Sequence, residues 1–95
     1  KNVKDRINME RISKYRDLTN RALKAAKESI AKGKEKQAKE IIDMVSNYIS
    51  DSDYFEKLGD IVNAFATLNY AYGWLDSGAR LGIFDVKDNK MFTIK

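Results

Sequence analysis

The chain has 95 residues, of which 43% are hydrophobic and 34% are charged, and its formal net charge is +4. This length predicts one domain with a modest core and leaves little room for a deep enclosed pocket. The chain has no cysteine, histidine or proline, which excludes disulfides and thiolate metal sites, removes the commonest general acid or base, and favours long helices.

Residues 3–31 carry apolar side chains at helical spacing and predict the first helix, which ends before Gly33 in a lysine-rich turn. The predicted inward stripe consists of Ile12, Tyr15, Leu18, Thr19, Ala22, Ala26 and Ile30. Basic residues spread around the remaining arc, and we expect them to face solvent: Arg6, Lys14, Arg16, Arg21 and Lys24.

Residues 35–58 predict the second helix, with Met44 and Tyr48 beside its inward stripe of Ala38, Ile41, Ile42, Val45 and Ile49. The apolar face rotates beyond Ser50, so either a kink with a new helix cap or a supercoiled continuation fits. Three carboxylates in this region lack the ligand number of a calcium loop, and we attribute them to capping and solubility: Asp51, Asp53 and Glu56.

Residues 60–81 predict the third helix, because Gly59 suits a left-handed helix end, Asp60 suits an N-cap and Gly82 provides the stop. Its predicted core stripe is Ile61, Phe65, Leu68, Tyr72, Leu75 and Ala79. Glycine inside a helix costs about 1 kcal/mol relative to alanine, so Gly73 and Gly78 predict close approach by neighbouring groups.

The opposite side of the third helix carries the only tryptophan of the chain. Tyr70 and Trp74 are four residues apart and therefore lie side by side on a helix surface. The residues predicted for this second face are Asn63, Thr67, Tyr70, Trp74 and Leu81.

Three helices with short connections must alternate in direction, which predicts an all-α, antiparallel up-down-up three-helix bundle over residues 1–82. Residues 83–95 form a C-terminal extension in which 83–86 and 91–94 predict a small β-hairpin. A two-stranded hairpin is marginal alone in water and needs a surface. The face with Tyr70 and Trp74 is a candidate for that surface.

Residues 59–84, GDIVNAFATLNYAYGWLDSGARLGIF, closely resemble the signature of a family of small archaeal proteins catalogued as domain of unknown function 357. The resemblance implies an all-helical fold and no assigned activity. The same segment also looks like one unit of a tetratricopeptide-type helical hairpin. A single such unit is weak support for that alternative, because these repeats need neighbours to bury their faces.

If the extension leaves the second face uncovered, the aromatic side chains predict a binding surface, since aromatic residues dominate interface hot spots. We therefore expect a non-enzymatic module that binds another protein or associates with itself as a homodimer. Asn63, Thr67, Tyr70, Trp74 and Leu81 are the predicted interaction residues.

The basic residues predict an alternative function as an accessory binder of RNA or another nucleic acid. Residues 1–50 hold 13 Lys and Arg against 7 Asp and Glu, whereas residues 51–95 hold 5 against 7. The candidate contacts surround the first turn: Lys24, Lys27, Lys32, Lys34, Lys36 and Lys39. Against this alternative, no aromatic residue interleaves the lysines and neighbouring acids dilute them.

No apolar run approaches the length needed to span a bilayer, and the charged first residues lack a signal-peptide core. We therefore expect a soluble, cytoplasmic protein without membrane contact. We also expect no catalytic residue, cofactor or metal ligand.

Overall fold

The computed structural model describes residues 8–88 and 90–92. These residues form three α-helices in the order α1 (Met9–Lys27), α2 (Glu35–Lys57) and α3 (Ile61–Arg80). The helices pack in an up-down-up arrangement, with α3 in contact with both α2 and α1. The predicted all-α three-helix bundle is confirmed.

Helix α1 begins directly after Asn8, whose side-chain oxygen accepts a hydrogen bond of 2.8 Å from the backbone N–H of Arg11. This cap satisfies one of the otherwise unpaired N–H groups of the first turn. The part of the predicted first helix over residues 3–7 lies outside the described residues.

Helix α1 ends at Lys27 rather than at residue 31 because the following backbone pairs with the C-terminal segment. The N–H of Ala31 donates to the carbonyl of Ile83 at 2.9 Å, and the N–H of Asp85 donates to the carbonyl of Ser29 at 2.6 Å. These bonds hold the connection between α1 and α2 against the residues that follow α3.

Helix α2 runs without interruption past Ser50, so no new helix starts there. Ser52 is fully buried, and its hydroxyl donates 2.7 Å to the carbonyl of Ala64 on α3. Because the apolar face rotates beyond Ser50, the side chain of Ser52 points toward the other helices. Ser52 therefore links α2 to α3 and does not cap a helix.

The prediction that Arg16 faces solvent is wrong. Its side chain is only 18% exposed, and its Nη2 donates to the hydroxyl of Ser52 at 2.8 Å. The Nε of Arg16 lies 3.0 Å from Asp53 Oδ1, and Nη1 pairs with Glu56. Asp53 and Glu56 therefore hold α1 against α2, which is a structural role beyond capping and solubility.

The turn between α2 and α3 has the predicted left-handed glycine and the predicted N-cap residue. Gly59 has a positive φ of 79°, a conformation that glycine adopts without the steric cost of a side chain. The side chain of Asp60 accepts from the N–H of Asn63 at 3.1 Å and caps α3. Gly82, also at φ 79°, follows the end of the helix.

The core side of α3 overlaps the predicted stripe only in part and is built from smaller residues. Leu68, Leu75 and Ala79 are buried as predicted, whereas Ile61, Phe65 and Tyr72 are half-buried. The complete buried set of α3 is Ala64, Leu68, Ala71, Leu75, Gly78 and Ala79. Small side chains let the neighbouring helices approach closely, so they share the core positions with leucine.

The predicted C-terminal hairpin is wrong for the described residues, in which the only β-type pairing is an isolated bridge between Ile30 and Phe84. The first predicted strand pairs with the α1–α2 connection. Phe84, Val86 and Phe92 are buried in the main hydrophobic cluster. The segment thus closes one end of the bundle, and residues 93–94 of the predicted hairpin lie outside the described residues.

Candidate functional site

The outward side of α3 borders a groove of about 600 Å³ between α2 and α3. Trp74, Ser77 and Leu81 form its α3 wall, and Met44 stands on the α2 side. The groove is lined in full by Gln37, Glu40, Ile41, Asp43, Met44, Asn47, Trp74, Ser77, Gly78, Leu81 and Ile83. The lining therefore combines apolar side chains with polar ones, as protein-binding surfaces do.

A second, smaller groove of about 350 Å³ lies on the other side of Trp74. Its lining residues are Asn69, Tyr70, Gly73, Trp74 and Ser77. Trp74 and Ser77 line both grooves, so the indole stands as a ridge with a recess on either side.

The aromatic side chains of this surface are exposed, and one of them contacts an aromatic ring on α2. Tyr70 is 61% exposed, and its ring lies 5.7 Å from the ring of Tyr48 on α2, centroid to centroid. Trp74 is 43% exposed and Leu81 is 73% exposed. We call the surface formed by Met44, Tyr70, Gly73, Trp74, Ser77 and Leu81 the α3 face.

The face with Tyr70 and Trp74 was a candidate surface for the C-terminal extension, but among the described residues of the extension only Ile83 lines one of the grooves. The extension passes along the other side of α3, where the hydroxyl of Tyr72 donates to the backbone carbonyl of Met91. Phe92 follows directly into the core. Phe84, Val86 and Phe92 are therefore already buried away from the outward side of α3.

Two of the predicted interaction residues lie apart from the grooves. The amide of Asn63 donates to Asp60 at 2.7 Å, as part of the helix cap. The hydroxyl of Thr67 donates within its own helix, to the carbonyl of Asn63 at 2.9 Å. The structure brings Trp74 together with Tyr70 in one groove and with Leu81 in the other, and it leaves Asn63 and Thr67 outside both.

The two glycines inside α3 have different surroundings. A Cβ added at Gly78 would lie 2.5 Å from an atom of the Phe84 ring, so the predicted close approach is confirmed there. A Cβ added at Gly73 would meet no atom within 4 Å among the described residues. The cost of Gly73 to the helix is therefore not offset by packing within the described part of the chain.

Met44 and Tyr48 were predicted to lie beside the inward stripe of α2 and were not assigned to a site. Gly73 and Ser77 line the smaller groove with Tyr70 and Trp74, and neither was predicted as a site residue. The spacing of four between Gly73 and Ser77 was visible in the sequence. Their exposure was not, because it depends on where α2 lies.

The lysines predicted to bind nucleic acid are all exposed, and they extend from the last turn of α1 across the connection into α2. The ammonium of Lys39 lies 2.8 Å from Asp43, and this hydrogen bond raises the pKa of Lys39. Part of the positive charge is therefore already paired on the surface of α2.

The opposite side of α3 carries an aromatic cluster that faces α1. Tyr15 stacks on Tyr72 with ring centroids 5.7 Å apart and lies 5.4 Å from the ring of Phe65. Burial, aided by the negative charge of Asp76, raises the pKa of both tyrosines above 10.0. Both phenols are therefore neutral near pH 7, and the cluster serves packing between α1 and α3.

A family model described as a protein of unknown function, DUF357, matches residues 14–84. The chain belongs to this family. The match spans all of α2 and α3 and most of α1, so the DUF357 bundle contains the whole α3 face. Comparisons of this DUF357 chain with curated proteins and with solved structures returned no match.

Two further properties bear on what the DUF357 chain can do. Within residues 8–88 and 90–92, none of its helices combines the length and apolar character that crossing a bilayer requires. In the same residues, no three His, Cys, Asp or Glu side chains are grouped so that they could hold a metal ion.

Proposed function

We propose that this chain is a non-enzymatic protein-interaction module whose working surface is the α3 face. The observation that carries the proposal is the exposure of Trp74, at 43%, on a ridge between two adjoining grooves. Burying an aromatic side chain is worth about 1.5 to 3 kcal/mol, a large share of the net stability of a small domain. A partner that covers the exposed 43% of Trp74 would recover a corresponding part of this free energy.

The distribution of apolar residues supports the proposal. Met44, Tyr70, Trp74 and Leu81 are each at least 40% exposed, and each lines at least one of the two adjoining grooves. Contiguous apolar surface of this kind marks interaction sites more often than scattered exposed residues do. Aromatic and methionine side chains are also the types enriched at interfaces.

No specific observation favours the alternative function in nucleic-acid binding. The exposed lysines lie on three successive segments, and aromatic rings that stack on bases are absent from the described residues among them. We therefore retain the α3 face as the proposed surface.

A photocrosslinking amino acid placed at Tyr70 tests the proposal, with the same amino acid at Tyr54 as a matched control. Tyr70 and Tyr54 are 61% and 62% exposed, but only Tyr70 lines a groove of the α3 face. We expect the probe at position 70 to form a protein adduct in native cell extract, to another protein or to a second copy. Adduct formation at position 70 no greater than at position 54 would contradict the proposal.

A further inference from the structure

We propose that the partner of the α3 face is a second copy of this chain, bound through a two-fold symmetric contact in which the two α3 helices cross at Gly73. This inference rests on the proposed function of the α3 face and names its occupant. It follows from the shape, the charge and the area of that surface.

The shape of the α3 face is complementary to itself. Trp74 projects as a ridge, and the smaller groove beside it is formed by Asn69, Tyr70, Gly73 and Ser77 of the same helix. A two-fold axis near Gly73 places the indole of each copy over the smaller groove of the other. Symmetric dimers require this property, because one patch must supply both the projection and the recess.

Gly73 explains why the crossing point lies at this position. Glycine lowers helix stability relative to alanine, and at Gly78 the contact with Phe84 requires it. At Gly73 a Cβ would meet no atom of the described residues within 4 Å, so no contact among them requires a glycine at this position. A second helix that approaches the backbone closely would require it, since small residues at a helix crossing allow short interaxial distances.

The charge distribution favours a like partner at this surface despite the net charge of +4. Between Ile61 and Ala79, the only ionisable carboxylate or ammonium group of α3 is Asp76. Asp76 raises the pKa of Tyr72 and of Tyr15, which stacks on Tyr72 from α1, so its charge acts on the side of α3 that faces α1. Helix α3 therefore brings no like charges to the crossing at Gly73, and the nearest carboxylates, Glu40 and Asp43 on α2, line the larger groove and not the smaller one.

The area of the face predicts a weak dimer. At roughly 200 Å² for a whole aromatic side chain, the exposed fractions of Tyr70 and Trp74 leave about 200 Å² in water. Met44 and Leu81 extend this apolar surface. A standard homodimer interface buries about 800 Å² per copy, of which about 65% is apolar. The α3 face supplies a substantial part of that amount, so we expect dissociation in the micromolar range.

Sedimentation equilibrium from about 1 to 500 μM, a range centred on that expectation, tests the inference on the full chain. We expect a reversible monomer–dimer equilibrium that Trp74→Ala weakens at least tenfold. Tyr54→Ala removes an equally exposed tyrosine away from the grooves, and we expect it to leave the equilibrium unchanged.

Gly73→Ala provides the sharper test because its two expected effects have opposite signs. Below the dissociation constant, we expect an unchanged or higher thermal midpoint, since the added methyl group meets open space in the monomer. At the dimer contact the same methyl group separates the helices, and we expect at least a tenfold weaker dimer. A dimer that Gly73→Ala does not weaken would overturn the proposed crossing.

The failure of this inference can be told apart from the failure of the proposed function. The chain could be monomeric up to the highest concentration and yet crosslink through position 70 to a different protein. That result would overturn the proposal of a second copy as partner but would still support the α3 face as an interaction surface. A monomeric chain without adducts at position 70 overturns both.

Discussion

The guanidinium of Arg16 and the hydroxyl of Ser52 form a buried link between α1 and α2, with Nη2 2.8 Å from Oγ. Ser52 extends the link to α3 by donating to the carbonyl of Ala64 at 2.7 Å. One hydroxyl therefore joins all three helices. Buried polar groups of this kind contribute most when every partner is satisfied, and they are costly when one is removed.

Arg16→Met should destabilise the bundle by about 2 kcal/mol, because Ser52 loses its donor and Glu56 its counter-charge. The expected loss of stability is no larger because Asp53, the other ion-pair partner of Arg16, is 54% exposed and water screens its interaction. Urea unfolding monitored by circular dichroism measures the change. Arg21→Met breaks a pair with Asp17 that is exposed on both sides, and it should cost less than about 0.5 kcal/mol. Equal effects of the two substitutions would contradict the proposed role of Arg16.

Gly78→Ala should destabilise the protein by about 1 to 2 kcal/mol. The added Cβ would lie 2.5 and 2.7 Å from two atoms of the Phe84 ring, so the buried ring must shift. The gain in helix propensity, about 1 kcal/mol, offsets only part of this cost. Gly73→Ala brings the same gain in helix propensity, and its added Cβ meets no atom within 4 Å among the described residues. Measured in dilute solution, where the chain is monomeric, this variant serves as the control. A thermal midpoint that rises equally in both variants would count against close packing at Gly78.

Phe84→Ala should cost about 3 to 5 kcal/mol, since the side chain is 1% exposed and its removal opens a cavity beside Gly78. Such a loss approaches the whole net stability of a small domain. Leu58→Ala removes an apolar residue that is 62% exposed and should change stability by less than about 0.5 kcal/mol. If Phe84→Ala proved as mild as Leu58→Ala in urea unfolding, the C-terminal segment would not be part of the core.

The bounds of α2 and α3 and part of the core side of α3 were predictable because they depend on local signals. Gly59 and Asp60 specify a helix end and a helix start within two residues, and Leu68 and Leu75 repeat at helical spacing. The position of Arg16 was not predictable in this way. Whether a basic residue points into solvent or into a cluster of acids depends on a helix that lies far away in sequence.

The C-terminal segment was mispredicted for the same reason. Its β-branched and aromatic residues favour extended backbone, and Phe84 does form a β-type bridge. The partner is Ile30, more than fifty residues earlier, and no local pattern identifies it. The aromatic residues of the α3 face were predictable from their spacing in the sequence. The grooves beside Trp74 were not, because their shape depends on where α2 lies relative to α3.

The stability of the bundle should decrease at alkaline pH because Tyr15 and Tyr72 have raised pKa values, caused first by burial and then by Asp76. In the unfolded chain these phenols ionise near 10.0, whereas in the folded chain they stay protonated to higher pH. Their contribution is therefore complete below pH 10 and is lost as the pH rises through the folded-state values.

Tyr15→Phe cannot ionise at this position, so its unfolding free energy should fall less steeply above pH 10 than that of the unchanged chain. Asp76→Asn should have the same effect, because removing the negative charge lowers the pKa of both tyrosines in the folded state. Urea unfolding at a series of pH values, with tyrosinate absorbance followed in parallel, measures both slopes. Identical alkaline slopes in all three proteins would mean that the stacked pair of Tyr15 and Tyr72 titrates as it does in the unfolded chain.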